Sequence, residues 1–220
     1  NILAGLKLYG VISKLYVDGH HTIYSALALR ALSLYPELAR PEILHGLIAL
    51  IEACETAGFD RYYGLKQESF SDHHLIEKFT FSSPLTAAEA ALSQHSEVIT
   101  DREADGAFYF FSGSRLHLLT HAQALLELHQ LGYTNLATLG LSAFTKHCIC
   151  IDASAVPDGA KPYQAKQTFD PRKASFWQRA KTNPHQGKLA YAVLEVFSSL
   201  GQTNEEQTLK DLSAYWEHYE

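Results

Sequence analysis

The chain has 220 residues, 46% of them hydrophobic and 19% charged, with a formal net charge of -6. That is ordinary for a globular protein long enough to bury a sizeable core, and the acidic balance gives no electrostatic reason to expect a nucleic-acid partner. No run of some eighteen apolar residues is present to span a membrane, no linker rich in Pro, Gly or charge divides the chain, and its three cysteines do not make a disulfide framework; the expectation is a single domain over 1–220 in a reducing, cytoplasmic setting.

Residues 1–16 place Leu3, Leu6, Leu8, Ile12 and Leu15 at helical spacing, with a break at Gly10. Asp18 then stands as a cap for a helix that opens on His20-His21 and ends before Pro36. Pro41 suits the first turn of the next helix, Glu42 to about Ala57, with His45 beside the side-chain-free Gly46 and Gly58 closing it. From Phe59 to Ser83 the pattern degrades into aromatics, glycine and polar residues; His73 and His74 there would point about 100° apart on a helix and so do not face one ion. A helix from Pro84 to about Ile99 follows. Asp101 or Asp105 then caps a long helical segment carrying Phe108, Tyr109, Phe110 and Phe111, before Gly113 and Ser114 allow a bend.

The next helix carries His117 and His121 one turn apart on its apolar side, with Thr120, Gln123, Glu127 and Gln130 as its solvent edge. Past Gly132 a further helix reaches His147-Cys148-Ile149-Cys150, where small buried residues beside a capping histidine are a commoner arrangement than a soft-metal cluster. Asp152 to Thr182 is the longest non-periodic stretch. Its length marks it as a lid over 152–182, and Phe169, Phe176 and Trp177 mark it as docked. It runs into Asn183, a good N-cap, with Pro184 at the first helical position and His185 just inside.

The spacing His-x4-Ala-x-Ala occurs three times, at His21, Ala26 and Ala28, at His117, Ala122 and Ala124, and at His185, Ala190 and Ala192. Each copy meets a turn signal, Pro36, Gly132 or Gly201, and a second helical stretch follows, so the unit is an αα-hairpin. The expected fold class is all-α, an array of such hairpins around a common interior. Were the three first helices to pack side by side and parallel, their histidines would fall at one level near the helix N-termini. The partial positive charge there favours the neutral imidazole that a metal ion needs. A single buried histidine is most simply a hydrogen-bonded core group; three in register make a shared metal site an equal reading. His20 sits beside the stripe, either a second ligand or a surface residue.

At His20-His21 with Ala26, Ala28 and Leu29, at Phe110-Phe111 with His117, His121 and Ala122, and at His185-x-x-Lys188, the chain resembles the questin oxidase-like family. The likeness covers three short patches, well under half the chain. It implies an all-helical fold, oxidative cleavage of polycyclic aromatic quinones, a non-haem iron held by several histidines and a carboxylated lysine, and NADPH as electron donor. Carried over, His21, His117 or His121, and His185 become ligands and Lys188 the modified lysine. The family's further histidine motif is met only loosely by Ile43-Leu44-His45-Gly46, and its chains are generally longer. On the helical wheel alone, Lys188 lies on the polar edge with Glu195 and reads equally well as an exposed lysine.

The function expected from these readings is that of an iron-dependent oxidoreductase or oxygenase acting on an apolar, aromatic small molecule. Its metal would be held by residues among His20, His21, His45, His117, His121, His185 and Lys188, and its flat substrate lined by Tyr24, Phe110, Phe111 and Trp177. Two other classes compete: a non-enzymatic helical module binding a hydrophobic ligand or partner helix, and a zinc-dependent hydrolase or lyase. No nucleophile elbow, P-loop or G-x-G-x-x-G motif is present to support a hydrolytic triad, nucleotide hydrolysis or a Rossmann site.

Overall fold

The structure, a computed structural model, describes residues 8–57, 62–65, 79–93, 102–104, 106–109, 113–156, 158–160, 164–179, 181, 183–201 and 205–218. It is all-α. Its helices are α1 (Leu8–Val11), α2 (His20–Leu34), α3 (Pro41–Ala57), α4 (Pro84–Ser93), α5 (Gly113–Gln130), α6 (Thr134–Ala153), α7 (Ala174–Gln178), α8 (Pro184–Leu200) and α9 (Glu205–His218). Among the described residues the only strands are β1 (Arg102–Ala104) and β2 (Ala107–Tyr109), paired antiparallel with Glu103 opposite Phe108. This hairpin replaces the long helical segment expected there. Asp105-Gly106 is a strong two-residue hairpin signal, Gly106 adopts a φ of +72°, and Phe108 and Tyr109 favour the extended strand. Phe110 and Phe111, like His73 and His74, lie outside the described residues.

The centre of the bundle is α5, which packs against α2, α4, α6 and α8. From Leu116 to Leu128 every residue of it is buried, so the solvent edge expected at Thr120, Gln123 and Glu127 does not exist; of that set only Gln130, beyond the packed turns, is exposed. A helix surrounded on all sides must satisfy its polar groups internally. Glu127 accepts hydrogen bonds from Gln123 Nε2 (3.0 Å) and Tyr191 Oη (2.7 Å), and Arg30 Nε lies 3.4 Å from its other oxygen. Ala26, Ala122, Ala124, Ala190 and Ala192 are fully buried, and their small side chains let neighbouring helices approach closely.

In chain order α2 is followed by α3, α5 by α6 and α8 by α9. α8 begins with the cap read from the sequence, Asn183 Oδ1 accepting from the His185 amide at 2.9 Å in a capping box with Gln186. The same Gln186 ties this end to α9, its carbonyl accepting from Trp216 Nε1 at 3.2 Å. The segment before it is docked along α9: Phe169 N donates to Ser213 Oγ (2.8 Å), Lys166 N to Glu217 Oε2 (2.6 Å), and Arg172 bridges Asp170, Glu205 and Glu206. Phe169 and Phe176 are buried in the core, whereas Trp177 stays 46% exposed and donates to Pro171 O. The three cysteines are buried thiols not joined in disulfides, and no helix among the described residues is long and apolar enough to cross a membrane.

Candidate metal centre

Three segments bring imidazoles to one point. His20 is the first residue of α2, His185 the second of α8, and His117 lies in the second turn of α5, so the N-terminal ends of the three helices meet there. Ring centroids are 4.7 Å apart for His20 and His117, 5.3 Å for His117 and His185, and 6.1 Å for His20 and His185. One nitrogen from each ring lies within 4.8 Å of the others, and these three histidines could hold a metal ion. Ligand nitrogens around a bound ion stand about 3.0–3.4 Å apart, so small side-chain rotations would close the set.

The second nitrogen of each ring faces an oxygen. His20 Nδ1 donates to Val17 O, His185 Nδ1 lies 2.7 Å from Asn183 Oδ1, and His117 Nδ1 lies 3.4 Å from Asp18 Oδ2. At His20 and His185 the oxygen acceptor selects the tautomer with its proton on Nδ1 and the lone pair on Nε2, as metal-binding histidines require, and the carboxylate near His117 Nδ1 favours the same tautomer there. Burial reinforces this. Desolvation first, and the charge of Lys188 second, hold His20 at a pKa of about 3, His185 at about 4 and His117 well below the usual range. All three rings are neutral at physiological pH.

Lys188, one turn beyond His185, is not an exposed surface lysine: its Nζ donates to His20 Nε2 at 2.9 Å. Burial lowers its pKa to about 8, against the opposing pull of Asp18. The amine therefore occupies the His20 lone pair that an ion would use. Tyr24 is half-buried with its ring 5.4 Å from that of His20.

Other expected ligands lie elsewhere. His21, the first-copy histidine of the repeated spacing, points away from its neighbour, with Nδ1 donating to Tyr16 O (3.3 Å) and Nε2 accepting from Thr22 Oγ1 (3.2 Å). The physical reason is the helix start. His20 and His21 lie about 100° apart, and the turn before α2 aims the first of them at α5 and α8. His121 is one turn along α5 from His117 but meets His147 (Nδ1 to Nδ1, 3.3 Å) and the edge of Phe144. His45 is exposed on α3 and outside the cluster. Asp18 does not cap α2, whose N-cap is Gly19 without a side-chain bond. Its carboxylate instead turns inward to His117 and His147 and accepts from Tyr62 Oη. Asp18, Tyr62 and His147 went unread as site residues, although an aspartate two places before a histidine pair was a usable signal for Asp18.

The chain matches no family model, no curated protein and no solved structure. The centre is accordingly defined by its own geometry.

Proposed function

We propose that the chain is a metal-dependent oxidoreductase, with a non-haem iron held by His20, His117 and His185, acting on an apolar, aromatic small molecule. The observation that carries this reading is the triangle of three neutral imidazoles, one nitrogen of each within 4.8 Å of the others, with an oxygen near each Nδ1. Three nitrogens on one side leave open positions, and iron bound in that way supplies dioxygen chemistry. Lys188 adds to the reading. Its Nζ stands at the ligand atom of His20, and a neutral amine there could take up carbon dioxide to become an anionic oxygen ligand, as the resemblance to questin oxidase-like proteins suggests. Tyr24 supplies an aromatic wall beside His20. Trp177 extends that wall in the same proposal, and NADPH as reductant rests on the resemblance alone.

The test is elemental analysis of protein purified without added metal, followed by the variants His20→Ala, His185→Ala and His21→Ala. Iron near one equivalent, lost in the first two variants and kept in the third, is the expected result. Absence of metal from the parent chain, or its retention in both His20→Ala and His185→Ala, overturns the site. Zinc in place of iron would redirect the chemistry to a hydrolase or lyase, because three histidines with an open position also suit that ion. Oxygen uptake driven by polycyclic quinones then checks the substrate class.

A further inference from the structure

The carboxylate of Asp18 is only 4% exposed, yet it sits in a turn whose backbone is unfavourable for it. Val17, Asp18 and Gly19 follow one another at φ values of 45°, 49° and 78°. Left-handed backbone at a non-glycine residue costs on the order of 1–2 kcal/mol, and a β-branched valine tolerates it least. Such strain persists only where the surroundings over-determine it. Here they do. Tyr62 Oη donates to Oδ1, His147 Nε2 lies 3.6 Å from the same oxygen, and His117 Nδ1 lies 3.4 Å from Oδ2. His147 is held in turn by His121, which packs over Gly19.

An ionised carboxylate only accepts. With Oδ2 3.4 Å from Nδ1 of His117, the Nδ1-protonated tautomer is the one that can face it, which would leave the Nε2 lone pair for an ion. Three neutral imidazoles also bring no negative charge, so a divalent ion among them would be a buried charge without a counter-ion unless an anion stood close behind the ligands. Asp18 stands there.

We infer that Asp18 is the positioning residue of the metal centre: it fixes the tautomer of His117 and supplies the buried counter-charge to the ion held by His20, His117 and His185. The inference rests on the metal centre proposed above. Tyr62 holds the carboxylate in place with His147 packed beside it, and the strained turn delivers it to α5 at the level of the ligands.

The experiment uses the metal-free full chain and Zn2+ as probe, with affinities measured by competition against a chromophoric chelator. Asp18→Asn keeps the shape and removes the charge; it should bind Zn2+ about 10–100-fold more weakly than the parent, with helical content unchanged. Binding within twofold of the parent overturns the role of Asp18 while leaving the centre intact, provided His20→Ala abolishes binding. A parent chain that takes up no Zn2+ overturns the centre itself, and this inference with it. Should Asp18→Asn not fold, the 15N shifts of the His117 ring in the metal-free parent decide: protonation at Nδ1 is expected, and protonation at Nε2 overturns the inference.

Discussion

Gly19 answers to two constraints at once. Its φ of +78° suits glycine alone, and a Cβ there would lie 2.5 Å from Nδ1 of His121, a ring already wedged between His147 and Phe144. Gly140 makes a contrast, since its absent Cβ would meet the end of the Leu125 side chain, which can rotate aside. Gly19→Ala should therefore lower stability by about 2 kcal/mol or more, with Gly140→Ala at the mild end of the roughly 1–3 kcal/mol typical of overpacking. Urea denaturation of the two variants side by side checks the order, and a reversed order would mean that His121 is free to move. At this scale the sequence was partly readable. His117 and His185 were found by spacing, but the choice between His20 and His21 depends on where a helix begins to within one residue, and that boundary is set by three consecutive left-handed residues, two of them unlike what glycine preferences suggest.

For elements, α8 couples its own start to the site, because Asn183 Oδ1 accepts both the His185 amide and the His185 ring. Asn183→Ala should cost about 1 kcal/mol of stability from the lost cap. It should also weaken metal retention, since the ring loses the acceptor that selects its tautomer, whereas Asn183→Asp should restore both. Thermal denaturation and metal titration of the pair measure the two effects separately. The cap and its proline were visible in the sequence because capping chemistry is local. The burial of α5 was not: a wheel with Thr120, Gln123 and Glu127 on one side reads as amphipathic, and only tertiary partners such as Tyr191 and Arg30 turn that side into an interior. The β1–β2 pair was missed because Phe108 to Phe111 read as the core or pocket side of a long helical segment, while the Asp-Gly turn ahead of them carried the stronger instruction.

Over the whole molecule, the all-α class and the order of helices followed from periodicity and turn residues, since both are written in short windows. The convergence of three distant histidines was an inference from repetition, and it holds for two of the repeat positions and a neighbour of the third. The buried imidazoles also shape the pH response of the fold. His20, His21, His117, His121, His147 and His185 are all shifted below the ordinary value of 6.5, chiefly by desolvation, with His20 and His147 at about 3 and His21 and His185 at about 4. Above pH 6.5 neither the folded nor the unfolded chain protonates them. As pH falls below 6.5 the unfolded chain takes up protons that the folded one refuses, so stability drops until the folded values near 3 to 4 are reached, at up to about 1.4 kcal/mol per pH unit for each histidine. The urea midpoint of the metal-free chain should thus be flat from pH 8 to 7 and fall steeply from pH 6 to 5. An unchanged midpoint at pH 5 would mean that the imidazoles stay in contact with water.

The meeting of three helix starts at one point has a mechanical corollary. His20, His117 and His185 are separated by about 100 and about 70 residues of chain, and drawing such distant points together is entropically unfavourable in the unfolded state. An ion seated among them would act as a clasp across most of the polypeptide, tying the first hairpin, the central helix and the C-terminal pair through one atom. Loading and unloading that clasp would then be felt far from it, in the opening rates of backbone amides along α2, α5 and α8 alike.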